Sequence, residues 1–132
     1  MAEGALTPVK LKKCLQTAGE YLETNYDILD NLNVFPVPDG DTGTNMLSTF
    51  EAGVRALRTR DEDKDTIQSI AGRLNAELMR NSRGNSGFIL ARFFHGFFQA
   101  TEQVPELTAE QLTTGFSSGL YHVHTSLFSP VE

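Results

Sequence analysis

Two carboxylates, Asp39 and Asp41, stand one residue apart in the segment Asn33-Val-Phe-Pro-Val-Pro-Asp-Gly-Asp-Thr-Gly-Thr-Asn45. Pro36 and Pro38 fix φ and remove backbone donors, so the approach to the pair is extended and stiff. Gly40 and Gly43 allow a sharp turn and a close backbone approach to a ligand. Thr42, Thr44 and Asn45 then supply hydroxyl and amide groups where a helix is expected to begin. Acidic oxygens beside a helix N-terminus suit a hard cation that bridges to phosphate, because the cation offsets repulsion between the two anions. The chemistry implied is that of a magnesium–nucleotide site.

A second group of polar residues, Asn81-Ser-Arg-Gly-Asn-Ser-Gly87, falls between two apolar helical patterns. Gly84 and Gly87 keep side chains out of the way, and Asn85 or Ser86 is placed to cap the following helix. The amides of that helix's first turn would then point outward and could take a phosphate. Arg83 could add a charge-assisted contact. A break rich in Gly, Ser and Asn is also what a plain turn looks like, so this motif gains meaning from its pairing with the acidic loop.

These loops need helices to hold them. Thr7 as N-cap and Pro8 at the first helical position open an amphipathic helix to about residue 23, with Leu11, Leu15, Ala18 and Leu22 on one face. Ile28, Leu29 and Leu32 predict a short second helix that ends at Asn33. Met46, Leu47, Phe50, Val54 and Leu57 mark a helix over about 44–58, and Arg58 to Asp65 reads as a charged, solvated linker. Ile67, Ile70, Ala71, Leu74 and Leu78 line one face of the next helix. Phe88 to Gln99 form a strongly apolar one, within which the run Phe93-Phe94-His95-Gly96-Phe97-Phe98 reads as buried. Thr108 and Gln111 form a capping box that opens a last helix to about residue 125. No segment alternates with period two, so the fold class is all-α, a helical bundle.

Composition narrows the function. The chain has 132 residues, enough for one domain, with 11 basic and 17 acidic residues and a net charge of −6. No basic stripe is present, which argues against sequence-independent nucleic-acid binding. No apolar run reaches the ~20 residues that span a bilayer, and no signal-peptide h-region opens the chain, so a cytoplasmic location is expected. The lone Cys14 cannot form an internal disulfide and reads as a small buried group on a helix face. His122 and His124 lie two apart, on different helix faces, and are poorly placed as a metal pair. Glu20 and Glu23 read as a solvated helix face.

The residues from Asn33 to Met46, followed by Arg83-Gly-Asn-Ser-Gly87, resemble the nucleotide-binding domain of the dihydroxyacetone kinase L type. Within that family they are most similar to the N-terminal domain of the bacterial fatty acid kinase ATP-binding subunit. The resemblance runs from about residue 8 to Ser129-Pro-Val-Glu132. It implies an antiparallel up-and-down barrel of eight helices, of which this chain would supply roughly the first two-thirds, with ATP gripped by loops at one end. By this likeness Asp39 and Asp41 hold Mg²⁺ against the phosphates and are the catalytic carboxylates, with Asn33 as a further ligand where relatives carry an Asp. Thr42, Gly43, Thr44 and Asn45 would line the phosphates, and Arg83, Gly84, Asn85, Ser86 and Gly87 would cradle them. Met46 stands where it could meet the nucleotide, although it also reads as a core methionine.

The resemblance further implies a kinase whose acceptor is a fatty-acid carboxylate presented by a DegV-type carrier protein, with transfer only in a longer protein. Helix faces left uncovered by an incomplete barrel would favour a homodimer. A dihydroxyacetone-type kinase subunit and a non-catalytic nucleotide-sensing module are the alternatives. A calcium loop is not: counted from Asp39, the fifth position is Gly43, the sixth is Thr44 rather than Gly, and the twelfth is Phe50 rather than Glu.

Overall fold

The computed structural model describes residues 4–32, 40–58 and 64–128. They form five helices: α1 (Pro8–Leu32), α2 (Thr42–Arg55), α3 (Ile67–Asn81), α4 (Gly84–Thr101) and α5 (Ala109–Phe128). The all-α bundle read from the sequence is what is found. Helix α2 packs against α1, α3 and α4, and α5 lies along α4. The core joins Leu11 and Leu15 of α1 to Phe50 and Val54 of α2, Ile67, Ile70, Leu74 and Leu78 of α3, and Phe97 and Phe98 of α4. A single antiparallel bridge, with Leu6 N donating to Leu107 O (2.8 Å) and Leu107 N to Leu6 O (2.9 Å), ties the N-terminal segment to the α4–α5 connection.

Two of the expected starts are built as read. Thr7 Oγ1 accepts from Lys10 N at 3.2 Å, and Thr108 Oγ1 accepts from Gln111 N at 3.2 Å while Gln111 Oε1 accepts from Thr108 N at 3.1 Å. A second capping box, not foreseen, opens α3: Thr66 Oγ1 accepts from Ser69 N and Ser69 Oγ from Thr66 N, both at 2.9 Å.

Four expectations are corrected. The first two helices are one, α1, because residues 24–27 hold no Gly or Pro. There Thr24 Oγ1 and Asn25 Nδ2 donate to the carbonyls of Glu20 and Tyr21 one turn back, so the polar groups are satisfied inside the helix. The apolar face does not stay buried along it: Ala18, Ile28 and Leu32 are exposed. Cys14 is exposed as well, because each residue turns the helix by about 100° and Cys14 falls beside the stripe Leu11, Leu15, Gly19 that is covered. A thiol reagent should accordingly label the native protein at Cys14 as fast as it labels the unfolded chain; labelling that requires denaturant would contradict this orientation of α1.

The fourth concerns the charged linker. Residues 59–63 lie outside the described residues, but Asp65 is no solvated residue: its side chain is 6% exposed and faces Lys12, itself 3% exposed. Lys12 Nζ donates to Asp65 Oδ2 at 2.8 Å, and Arg73 Nη1 to Asp65 Oδ1 at 2.9 Å. Arg73 Nε also donates to Ala56 O at 3.2 Å, so the triad joins α1, the end of α2 and α3.

Helices α4 and α5 meet through the Phe93, Phe97 and Phe116 rings, with Ser118 Oγ donating to Gly96 O at 2.7 Å. Phe97 and Phe98 are buried as expected, whereas His95 is only half-buried, its ring edge-on to His122 at 5.6 Å. Burial, then the charge of Arg92, holds the His95 pKa below the usual histidine value. The outer helices keep apolar side chains in solvent, among them Tyr21 of α1 and Phe116, Leu120 and Tyr121 of α5. Among the described residues no helix is long and apolar enough to cross a membrane.

Candidate functional site

The two polar motifs, far apart in sequence, meet where α2 and α4 begin. Ser86 Oγ donates to Thr42 O at 3.0 Å. Arg83 N donates to Thr49 Oγ1 at 3.0 Å, and Thr49 Oγ1 itself donates to Asn45 O at 2.8 Å. Thr49 is fully buried, so this one hydroxyl braces the start of α4 against α2. Glycine makes the approach feasible. Gly84 sits at φ +64°, and a Cβ there would run into the Asn45 amide; a Cβ at Gly87 would run into Thr49 Oγ1.

Helix α4 begins earlier than the apolar pattern predicts. Gly87 N donates to Arg83 O at 3.0 Å, which makes Arg83 the N-cap and puts Asn85 and Ser86 inside the first turn rather than at the cap. No side chain caps this helix. The amides of Gly84, Asn85 and Ser86 therefore have no acceptor within the helix and stand at its positive end, as an anion site requires. Arg83 and Asn85 are exposed beside them.

At the start of α2, Asp41 is the exposed N-cap residue (φ −128°, ψ 8°), and its carbonyl accepts from Asn45 N at 2.9 Å. Gly43 is buried against α1 and Met46 is half-buried. Thr44 is exposed, but both its donors are engaged by a residue the sequence reading passed over. Its amide donates to Asp30 Oδ1 at 2.9 Å and its hydroxyl to Asp30 Oδ2 at 2.6 Å. These bonds, the hydroxyl's foremost and with the Gly43 amide adding to them, hold the Asp30 carboxyl below its usual pKa. Of the site residues named from the sequence, Thr42, Gly43, Thr44, Asn45 and Asp41 are thus gathered with Arg83, Gly84, Asn85, Ser86 and Gly87. Asn33 and Asp39 lie outside the described residues. Among the described residues no three His, Cys, Asp or Glu side chains cluster as a metal site.

Asp30 and Thr49 were missed because their partners lie fourteen residues on and thirty-four residues on, respectively. A carboxylate one turn from a helix end, followed by a helix start, was the available signal for Asp30. A groove of about 370 Å³ lies elsewhere, between α1 and α2, lined by Gln16, Glu20, Glu23, Glu51, Arg55 and Arg58. Its carboxylates are poor company for phosphate, and it sits against the later turns of α2 rather than its start.

The family model described as the DAK2 domain matches residues 36–131. An uncharacterized protein of Staphylococcus haemolyticus is 39% identical over 115 residues, covering 84% of this chain and 20% of the relative. Uncharacterized proteins of Staphylococcus epidermidis and Staphylococcus aureus strain USA300 are each 37% identical over 115 residues, with the same coverage. The chain therefore spans about a fifth of the length of the curated relatives it matches.

Proposed function

The chain belongs to the DAK2 domain family, whose members are kinase-associated, and from that premise we propose that it is a Mg²⁺–ATP-binding module. The observation that carries the reading is the joining of two helix starts by the Ser86–Thr42 and Arg83–Thr49 hydrogen bonds. It puts first-turn amides of α4 beside the acidic start of α2, a donor set that suits a phosphate bridged to a hard cation. In this reading Gly84, Asn85 and Ser86 bind phosphate through their amides, Arg83 adds charge, and Gly87 keeps the approach open. Asp41 and Asp39 would hold the cation, with Asn33 as a further ligand, and Met46 would border the nucleotide. When bound, Mg²⁺ supplies neutralisation of charge on the phosphate oxygens, which is most of what phosphoryl transfer asks of its surroundings.

In the longer protein we assign the γ-phosphate acceptor as a fatty-acid carboxylate held by a DegV-type carrier. A dihydroxyacetone-type kinase subunit and a non-catalytic nucleotide-sensing module remain as alternatives. The apolar side chains exposed on α1 and α5 support self-association of the isolated chain. The reading also places the protein in the cytoplasm, where ATP is available.

Calorimetric titration of ATP into this chain tests the core of it, with magnesium, with EDTA, and on the double variant Asp39→Asn/Asp41→Asn. Binding that needs magnesium and disappears in the variant is expected. Magnesium-dependent binding that survives in the variant would remove these carboxylates from the site. For the acceptor, a full-length protein that phosphorylates dihydroxyacetone but not carrier-bound fatty acid would favour the first alternative. One that binds nucleotide and transfers to neither would favour the second.

A further inference from the structure

Asp30 has no place in the nucleotide chemistry above, yet it makes one of the shortest hydrogen bonds of the molecule, at the centre of the candidate site. Its two carboxylate oxygens take the amide and the hydroxyl of Thr44 at 2.9 and 2.6 Å. The grip reaches from the last turn of α1 to the first turn of α2, across fourteen positions of sequence. Two further contacts show how closely the helices approach there. The Tyr26 carbonyl lies where a Cβ of Gly43 would stand, and the Asp30 carbonyl oxygen is 3.8 Å from the Cβ position of Gly40. Helix α2 is thus seated on the end of α1 by its first turn, and the same turn carries Asp41 on one side and the Thr42 carbonyl that receives Ser86 on the other.

We propose that Asp30 is a positioning residue of the nucleotide site: by holding Thr44 it sets the start of α2, and with it Asp41, in register with the start of α4. This rests on the Mg²⁺–ATP reading and deepens it. Because Asp30 occupies the donors of Thr44, the positive end of α2 is already answered by a carboxylate of the protein itself. The α4 amides of Gly84, Asn85 and Ser86 are left as the place for the phosphates. The division of labour follows: α2 presents the cation side and α4 the anion side. Asp30 touches neither ligand.

The chemistry of the side chain provides a sharp test. In Asp30→Asn, Oδ1 still accepts from the Thr44 amide, and Nδ2 can donate to Thr44 Oγ1 as the hydroxyl turns to accept. The geometry is kept and the charge is removed. Asp30→Ala removes both bonds. Mg²⁺–ATP affinity of this chain is measured for both variants at a temperature well below melting, together with the magnesium concentration at half-saturation. A lost supporting contact of this kind typically weakens a metal site about 10–100-fold, so Asp30→Ala should bind Mg²⁺–ATP at least about tenfold more weakly. Asp30→Asn should return to within a few-fold of the parent, with the magnesium requirement unchanged. A residue that serves only stability would lower the melting temperature in Asp30→Ala and leave the affinity of the folded protein untouched; that result overturns the proposal. Tighter binding by Asp30→Ala would instead make Asp30 a competitor of phosphate, and failure of Asp30→Asn to rescue would make it a ligand; either overturns positioning. If the unaltered chain binds no Mg²⁺–ATP, the nucleotide reading falls and this proposal with it. Binding that Asp30→Ala leaves unchanged removes this proposal alone.

Discussion

Replacing Gly43 by alanine is expected to lower the melting temperature of this protein by roughly 10–15 °C, a cost of about 3 kcal/mol at the size of one small domain. The added Cβ would overlap the Tyr26 carbonyl oxygen and stand 2.8 Å from its carbon and 2.9 Å from Leu29 Cβ. These atoms belong to the backbone and the first side-chain carbon of α1, so no rotamer change can clear them. The contact distinguishes this site from Gly72, where a Cβ would meet nothing within 4 Å and where alanine should be harmless or slightly stabilising. A thermal melt followed by circular dichroism compares the two. Equal melting temperatures for Gly43→Ala and Gly72→Ala would mean that the start of α2 does not sit on the end of α1. Nucleotide affinity should fall with Gly43→Ala as well, since the same turn carries Asp41 and Thr44.

The second large effect belongs to the ion triad away from the site. Asp65→Ala removes the carboxylate shared by Lys12 and Arg73, with Lys12 and Asp65 almost wholly withdrawn from water. Removing one member of a buried pair typically costs about 3–5 kcal/mol, and the low end applies because Arg73 is 31% exposed and can turn to solvent. Burial pushes the Asp65 carboxyl up, but hydrogen bonds from Arg73 and Lys12 outweigh it and hold the pKa below the usual aspartate value. A carboxyl depressed in the folded state stabilises the fold above its unfolded pKa, and that contribution disappears as pH falls through the folded value. The melting-temperature gap between the parent and Asp65→Ala should therefore be full at pH 6–7 and shrink below about pH 4. A gap that stays constant down to pH 3 would show that the carboxylate's charge is not what stabilises the triad.

Much of this fold is legible in the amino-acid pattern, for identifiable reasons. Helix starts such as Thr7-Pro8 and Thr108 with Gln111 are local, since cap and partner lie within one turn and their types suffice. The cores of α2, α3 and α4 follow from apolar spacing. The pairing of the two motifs in one site was expected from their residues and family likeness; among the described residues, the hydrogen bonds of Ser86 to Thr42 and of Arg83 to Thr49 join the starts of α2 and α4. What stayed hidden are contacts between distant residues. Asp30 with Thr44, Arg83 with Thr49 and Lys12 with Asp65 leave no periodic trace, because each depends on how whole helices are placed. Burial was misjudged where one helix has only one covered side. Cys14, Ala18, Ile28 and Leu32 have the apolar or small character of core residues, yet α1 is covered by α2 along a narrower stripe than its sequence suggests. Asp65 was misjudged in the opposite sense, since a run of charges reads as solvent-facing and gives no hint that one of them is enclosed.

The most direct test of the central claim is an amide chemical-shift map of this chain as Mg²⁺–ATP is added. The two helix starts should respond together, with the largest shifts at Gly84, Asn85 and Ser86 and at residues 41–45, and with little change along the later turns of α1 and α2. Shifts concentrated on Glu20, Glu51, Arg55 and Arg58, with the start of α4 silent, would put the ligand in the groove between α1 and α2. That would contradict the assignment of the nucleotide to the joined starts of α2 and α4.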